Sequence, residues 1–260
     1  MIPTMYSIPR LGISVEDCEG SKEIAQISSP RIHSTYDLIR EVAVRDPEKT
    51  AIVLLAGGEK VDEPEQRISY GALLNGIHQT ANLLADLCVE PGDVIALLLP
   101  NLLETHLLLW GGQTVGIVCP VPPGFSVEQA IALLRVAKAK VLVAPGREVS
   151  QDLWQRAEDI RRGVKSITLV LQVRGPGKER DAVYDFNALL GDYSASYLRT
   201  RRVVAPDDIA VTLPVRCVTN TPSLVSLTHG ELLYLAWAIG RSLMVAPEDV
   251  LLGSLWPFMR

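Results

Sequence analysis

The run Thr228-His229-Gly230-Glu231 places a hydroxyl, an imidazole and a carboxylate within four residues. Thr followed three positions later by Glu is first a helix-start signal, with the hydroxyl accepting from the third helical amide and the carboxylate returning to the Thr amide. His229 then serves either as part of that helix start or as a wall of a ligand pocket, and the two roles are compatible. Gly177-Lys178 looks like the end of a Walker loop. Such a loop needs a glycine five residues before its Gly-Lys, where Gln172 stands, and Ser or Thr after the lysine, where Glu179 stands, so the pair reads as a surface turn. His106 shares a helical stripe with Leu103, Leu107 and Trp110 and reads as half-buried rather than as a catalytic base. His33 and His78 have no acidic or nucleophilic companion at a recognisable spacing, and neither GxSxG nor GxGxxG occurs, so hydrolase and dinucleotide-dehydrogenase readings have no support. Cys18, Cys88, Cys119 and Cys217 are too scattered for a zinc knuckle or a disulfide scaffold; a reducing cytoplasm fits, and no residue is assigned to a metal.

The elements that must position these residues are set by periodicity. Residues 1–30 mix Pro, Gly, Ser and acidic groups without a period and read as a loosely ordered leader. A short amphipathic helix, TYDLIREVAVR, ends at Asp46-Pro47, and AIVLLA reads as a buried strand. RISY leads into a helix whose stripe is Leu73, Leu74, Ile77, Ala81, Leu84 and Cys88. After the Pro91-Gly92-Asp93 turn comes VIALLL, apolar without alternation, which predicts a parallel strand buried on both faces. Helix and strand then alternate: helices over 102–112, 126–138 and 150–161, strands over 116–119, 140–144 and 166–173. This is the pattern of a doubly wound α/β sheet flanked by helices. A charged turn, RGPGKERD, comes next, and IAVTL from Ile209 opens a new segment, a strand expected to lack a partner. The expected division is a leader over 1–30, an α/β subdomain over 31–205, and the start of a second subdomain over 206–260.

Composition narrows the function classes. With 48% hydrophobic and 21% charged residues, the chain is of ordinary globular character. A formal charge of −5 offers no basic field for nucleic acid. The N-terminal MIPTMYSIPRLGIS lacks the apolar run and cleavage site of a signal peptide. The most apolar stretches, 94–99 and 232–240, are about half or less of the roughly 20 residues that cross a bilayer, so no integral membrane segment is expected.

The segment DDIAVTLPVRCVTNTPSLVSLTHGELLYLAWAIG resembles the adenylate-forming superfamily, and specifically its acyl-CoA synthetases. In that family an apolar strand runs into a Ser/Thr/Gly loop closing with Pro-Lys, and a Thr-His or Ser-His pair opens the next helix. Thr219, Thr221 and Pro222, then Thr228-His229-Gly230, occupy that frame. Upstream, HSTYDLIREVAVRDPEKTAIVLL and ISYGALLNGIHQTANLLADLCVEPGDVIALLLPNLLETHLLLWGG also resemble the family, and the likeness runs over residues 31–260.

The resemblance implies the N-terminal subdomain of an enzyme that activates a carboxylic or fatty acid with ATP and Mg2+ to an acyl-adenylate and passes it to CoA. Such a loop works because glycines let backbone amides curl round phosphate oxygens, hydroxyls add donors and a lysine adds charge. Here Arg216, Cys217 and Asn220 take glycine positions, Val218 a hydroxyl position and Ser223 the lysine position. The expected nucleotide contacts are Thr219, Asn220, Thr221, Ser223 and Thr228, in a degenerate, weak loop; His229 and Phe258 are candidates near the acyl pocket, with Met259 where a histidine is usual. The family's later motifs do not fall within these residues, so the expectation is a truncated synthetase without independent activity, or alternatively a non-catalytic interaction module or one half of a split synthetase awaiting a complementary C-terminal half.

Overall fold

The computed structural model describes residues 32–55, 65–122, 124–176, 182–200, 202–216 and 222–253. The expected leader and most of the RGPGKERD turn lie outside them. Helix α1 (Thr35–Arg45) starts where the Ser34 hydroxyl accepts from the Asp37 amide, and it ends before Pro47, whose ring cannot continue it. Strands β1 (Thr50–Leu54) and β2 (Gln66–Ser69) form a separate two-stranded antiparallel sheet. The AIVLLA segment is therefore only half-buried, contrary to expectation: β1 pairs with β2 outside the main sheet and is covered by Tyr36, Ile39 and the next helix. That helix, α2 (Tyr70–Asp86), buries Leu73, Ile77, Ala81 and Leu84 as its spacing requires. Cys88 does not share the stripe; the helix stops first, and Cys88 stands exposed with φ 60°.

The main sheet is built from β3 (Val94–Leu97), β4 (Ile117–Pro120), β5 (Ala139–Pro145), β6 (Leu169–Val173) and β7 (Val183–Asp185), all parallel, with β8 (Ile209–Arg216) and β9 (Pro222–Thr228) beyond β4. Its order is β7-β6-β5-β3-β4-β8-β9. The crossovers are helices α3 (Leu103–Gln113), α4 (Val127–Ala137) and α5 (Gln151–Gly163), and the short α6 (Phe186–Leu190) comes after β7. Helix α7 (His229–Ser242) continues directly from β9.

The continuous apolarity of VIALLL is resolved into two faces. Val94, Ala96 and Leu98 join a core with Leu133 and Leu134 of α4 and Trp154 and Ile160 of α5. Ile95, Leu97 and Leu99 join a second core with Leu83 and Leu84 of α2, Leu108 of α3 and Phe186 of α6. The chain steps from β3 to β4 under α3 and returns past β3 to β5 under α4. Right-handed crossovers in opposite directions put those two helices on opposite faces, as in a doubly wound sheet.

One expectation about the last segment changes. The strand from Ile209 does have partners: β8 bridges β4 in parallel at Val118–Val211 and pairs with β9 antiparallel, so β9 is the outermost strand on this side among the described residues. Residue 206, where the second segment is expected to begin, lies in the connection before β8. No helix among the described residues is long and apolar enough to cross a membrane.

Leu142 on β5 is fully buried in the α4–α5 core. Leu142→Ala is expected to lower stability by about 2–5 kcal/mol, seen as a lower urea midpoint at unchanged slope. A loss below about 1 kcal/mol contradicts a close-packed layer at this position.

Candidate functional site

In open α/β sheets, ligands collect outside the carboxyl ends of the parallel strands. Strand β8 runs parallel to β4, so Arg216 at its end reaches that same edge. There Arg216 pairs with Pro222 and Val215 with Ser223. Thr219, Asn220, Thr221 and Phe258 lie outside the described residues. Ser223, half-buried, stands one residue into β9. Further along, Thr212 and Ser226 face each other across the two strands, with hydroxyls 3.0 Å apart.

Thr228 stands apart from Ser223. It closes the far end of β9, six residues from Pro222, which at the strand rise of about 3.3–3.4 Å is roughly 20 Å away. There it caps α7: its Oγ1 accepts from the Glu231 amide at 3.2 Å while the Glu231 carboxylate accepts from the Thr228 amide at 2.8 Å. The segment before β8 continues the joint, with Asp208 O accepting from His229 N and Pro206 O from Gly230 N. Asp208 in turn holds Arg202 at 2.9 Å and the Ala205 amide at 3.0 Å, contacts that keep its carboxyl below the usual carboxylate range. Arg202 spans back to Val115 O at 3.1 Å.

The His229 side chain turns inward and is 1% exposed. Its Nδ1 accepts from the Thr35 amide at 3.3 Å and lies 3.2 Å from Thr35 Oγ1, which donates to Gln113 Oε1 at 2.7 Å. Burial is the main cause that holds this imidazole below its ordinary value; the Gln113 backbone, Asp208 and Asp37 oppose that shift, and Arg202 adds to it. The joint therefore knits α1, α3 and α7, an arrangement that the residue spacing does not announce.

The other histidines do structural work. His78, on α2, bridges Tyr36 Oη at 2.9 Å and Ala195 O at 2.8 Å, and His106 sits 3.2 Å from Asn101 Oδ1, half-buried as expected. At the carboxyl end of β6, Arg174 grips the buried Glu104 through Nε and Nη2 at 2.8 and 3.1 Å, with Asn187 Nδ2 adding a third contact at 2.9 Å. Burial pushes the Glu104 carboxyl up, but Arg174 and Asn187 together hold it below the usual range. A groove of about 620 Å³ opens beside this cluster, between α5 and the β6–β7 edge. It is remote from β8 and β9, and two of its three arginines, Arg147 and Arg174, are already paired with Glu158 and Glu104. Among the described residues no three His, Cys, Asp or Glu side chains converge as a metal site.

A profile of the AMP-binding enzyme family matches residues 39–258. Marinolic acid–CoA ligase of Pseudoalteromonas sp. (strain SANK 73390) is 25% identical over 170 residues, which are 65% of this chain and 26% of that one. Among solved structures, a proposed long-chain-fatty-acid CoA ligase of Rhodopseudomonas palustris superposes with a TM-score of 0.71 at 19% identity, over 88% of this chain and 53% of its own. An anthranilate CoA ligase solved with anthranoyl-AMP superposes with a TM-score of 0.64 at 16% identity, over 79% of this chain and 36% of its own. At such identities the structural likeness speaks for the fold alone. The chain spans about a quarter to a half of the length of these proteins.

Because Thr228 is committed to the capping box, Thr228→Ala is expected to cost about 0.5–2 kcal/mol in thermal or urea unfolding, whereas Thr228→Ser, which keeps the acceptor, restores most of it. Equal losses for both variants contradict a capping role.

Proposed function

The chain belongs to the AMP-binding enzyme family, and we propose that it is the N-terminal part of an acyl-CoA synthetase-type ligase that is inactive by itself. The carrying observation is the family match over residues 39–258, together with the antiparallel pairing of β8 and β9 up to Arg216 and Pro222 at the carboxyl edge of the sheet. In this reading residues 31–205 are the N-terminal subdomain and residues 206–260 begin the next. The reaction class is carboxylate activation: a carboxylate oxygen attacks the α-phosphorus of ATP and pyrophosphate leaves, then the CoA thiol displaces AMP from the mixed anhydride. The acid is a small carboxylic or fatty acid.

This chain's share of that chemistry is phosphate binding by the segment that links β8 to β9. Hydroxyls of Thr219, Thr221 and Ser223 and the Asn220 amide donate to phosphate oxygens. Arg216, Cys217 and Asn220 at glycine positions crowd the approach of the backbone, and Ser223 withholds the lysine charge. Loss of one charge-assisted contact costs about 1.5–3 kcal/mol, roughly ten- to a hundredfold in affinity. Phe258 contributes to the acyl pocket, and His229 supports the wall from behind, through Thr35 and Gln113.

A second reading, an interaction module or one half of a split synthetase, is favoured by the outer surface of α7. Tyr234, Leu235 and Ile239 on the helix are exposed, as are Leu243 and Met244 just beyond its end, and the Tyr234 and Trp237 rings lie 5.9 Å apart. A helix apolar on this much of its circumference is one that ordinarily packs against a further layer. A complementary C-terminal half fits that surface; in this reading a Leu235→Lys/Ile239→Lys double variant stays folded but no longer associates with such a half in sedimentation.

Titration calorimetry with ATP and magnesium, with and without a medium-chain fatty acid, tests the primary reading. The expected result is no saturable heat at sub-millimolar ATP, and binding at least about tenfold tighter for Ser223→Lys, since one charge-assisted contact is regained. Clear sub-millimolar binding by the unaltered chain overturns the weakness assigned to the loop. A Ser223→Lys chain that is folded yet gains nothing overturns the placement of the phosphate at this segment.

A further inference from the structure

We propose that His229 is an acid-released latch fastening the start of α7 to the start of α1. The proposal stands on the packing of α1, α3 and α7 and is independent of the nucleotide reading. Thr35 is the first residue of α1, so its N–H is one of the donors that a helix leaves unpaired at its beginning. His229 is the first residue of α7. Two helix N-termini, each with a partial positive charge, therefore converge on one imidazole.

The hydrogen bonds define the protonation state that fits. The Thr35 N–H donates to Nδ1 at 3.3 Å, which only an unprotonated nitrogen can accept. The Thr35 hydroxyl spends its single proton on Gln113 Oε1 at 2.7 Å. The neutral ring then carries its proton on Nε2, which is buried and makes no well-aligned hydrogen bond among the described residues, with the Gln113 backbone as the nearby group that favours a ring proton. A second proton must go to Nδ1. It deprives the Thr35 amide of its acceptor and sets a full positive charge between two positive helix ends, where 1% exposure leaves water little access.

The charged groups around the ring are already engaged. Asp37 on α1 accepts from the His33 amide and the Ser34 hydroxyl; Asp208, before β8, holds Arg202 and the Ala205 amide; Glu231, on α7 itself, holds the Thr228 amide. Arg202 opposes a charge on the imidazole, whereas Asp37, Asp208 and the Gln113 backbone favour one, and burial outweighs them. With its folded-state value held below the ordinary 6.5, the latch contributes fully above about pH 6.5 and is lost as the pH falls through the lower folded value. The Lys49 to Pro247 carbonyl bond, 2.8 Å long, remains as a second tie, so release loosens the corner without unfolding the sheet.

Proton–nitrogen NMR of the intact chain tracks the His229 ring and the Thr35 amide together from pH 8 to pH 5. Both are expected to titrate with one midpoint below 6.5, while hydrogen exchange in the first turn of α7, corrected for its intrinsic pH dependence, speeds up several-fold over the same range. In His229→Gln, whose side-chain oxygen accepts from Thr35 without titrating, the acceleration is expected to disappear. A Thr35 amide that tracks another histidine's midpoint, or does not titrate, overturns the proposal on the unaltered chain alone, even should the variant fail to fold. An equal acceleration in a folded His229→Gln chain overturns it as well.

Discussion

Every layer of this molecule answers to the need to bury both faces of β3. A strand with Val94, Ala96 and Leu98 on one side and Ile95, Leu97 and Leu99 on the other gains stability only if each side is covered. One helix layer can cover one face, so the chain must reverse its winding direction after β4 and send α4 and α5 over the face that α2 and α3 leave open. The same reversal makes β3, β5 and β4 the interior of the sheet and pushes β8 and β9 outward. The hairpin that carries the candidate chemistry is thus a peripheral addition to a completed core, joined to β4 by a single parallel bridge.

Polar groups are concentrated at the seams between layers, and almost all are spoken for. Asn82 on α2 holds the segment after α6 through Ser194 O, Tyr197 O and the Arg199 amide; His78 holds Ala195; Glu104 and Arg174 lock α3 to the end of β6. These contacts fasten irregular segments that have little apolar area of their own, and leaving any of them unmade in the interior costs more than making it gains. His229 belongs to this class of seam residue, but it alone stands where two helix starts meet, which is why its protonation state bears on the fit of the corner.

The doubly wound core was legible because its signals are local: continuous apolar strands, helical stripes and prolines at boundaries. The elements that escaped are those fixed by partners far away in sequence. β7 has three residues and α6 five, too short to show a period, and β9 owes its strand form to the register Val215↔Ser223 to Ile209↔Thr228 with β8. β1 carries an apolar run that looks interior, yet among the described residues its only strand partner is β2. At the candidate site, the Thr228–Glu231 cap was readable from spacing, while the Thr35–Gln113–His229 contact joins residues up to 194 positions apart and leaves no trace in any local pattern.

Fold and candidate chemistry place different demands on the hairpin. Its register rests on backbone pairing and on side chains such as Leu224, which packs on the α4–α5 core, and on the Thr212–Ser226 contact; none of these requires glycine in the segment that links β8 to β9. Glycine is needed there only when a phosphate must come against the backbone. On the proposed reading, Arg216, Cys217 and Asn220 at glycine positions bear on ligand approach, whereas the pairing of β8 with β9 is made from Arg216↔Pro222 to Ile209↔Thr228 without them as glycines. The proposed inactivity of the isolated chain rests on that separation of a packing demand, which the strands meet, from a phosphate demand, which the proposal holds to be relaxed.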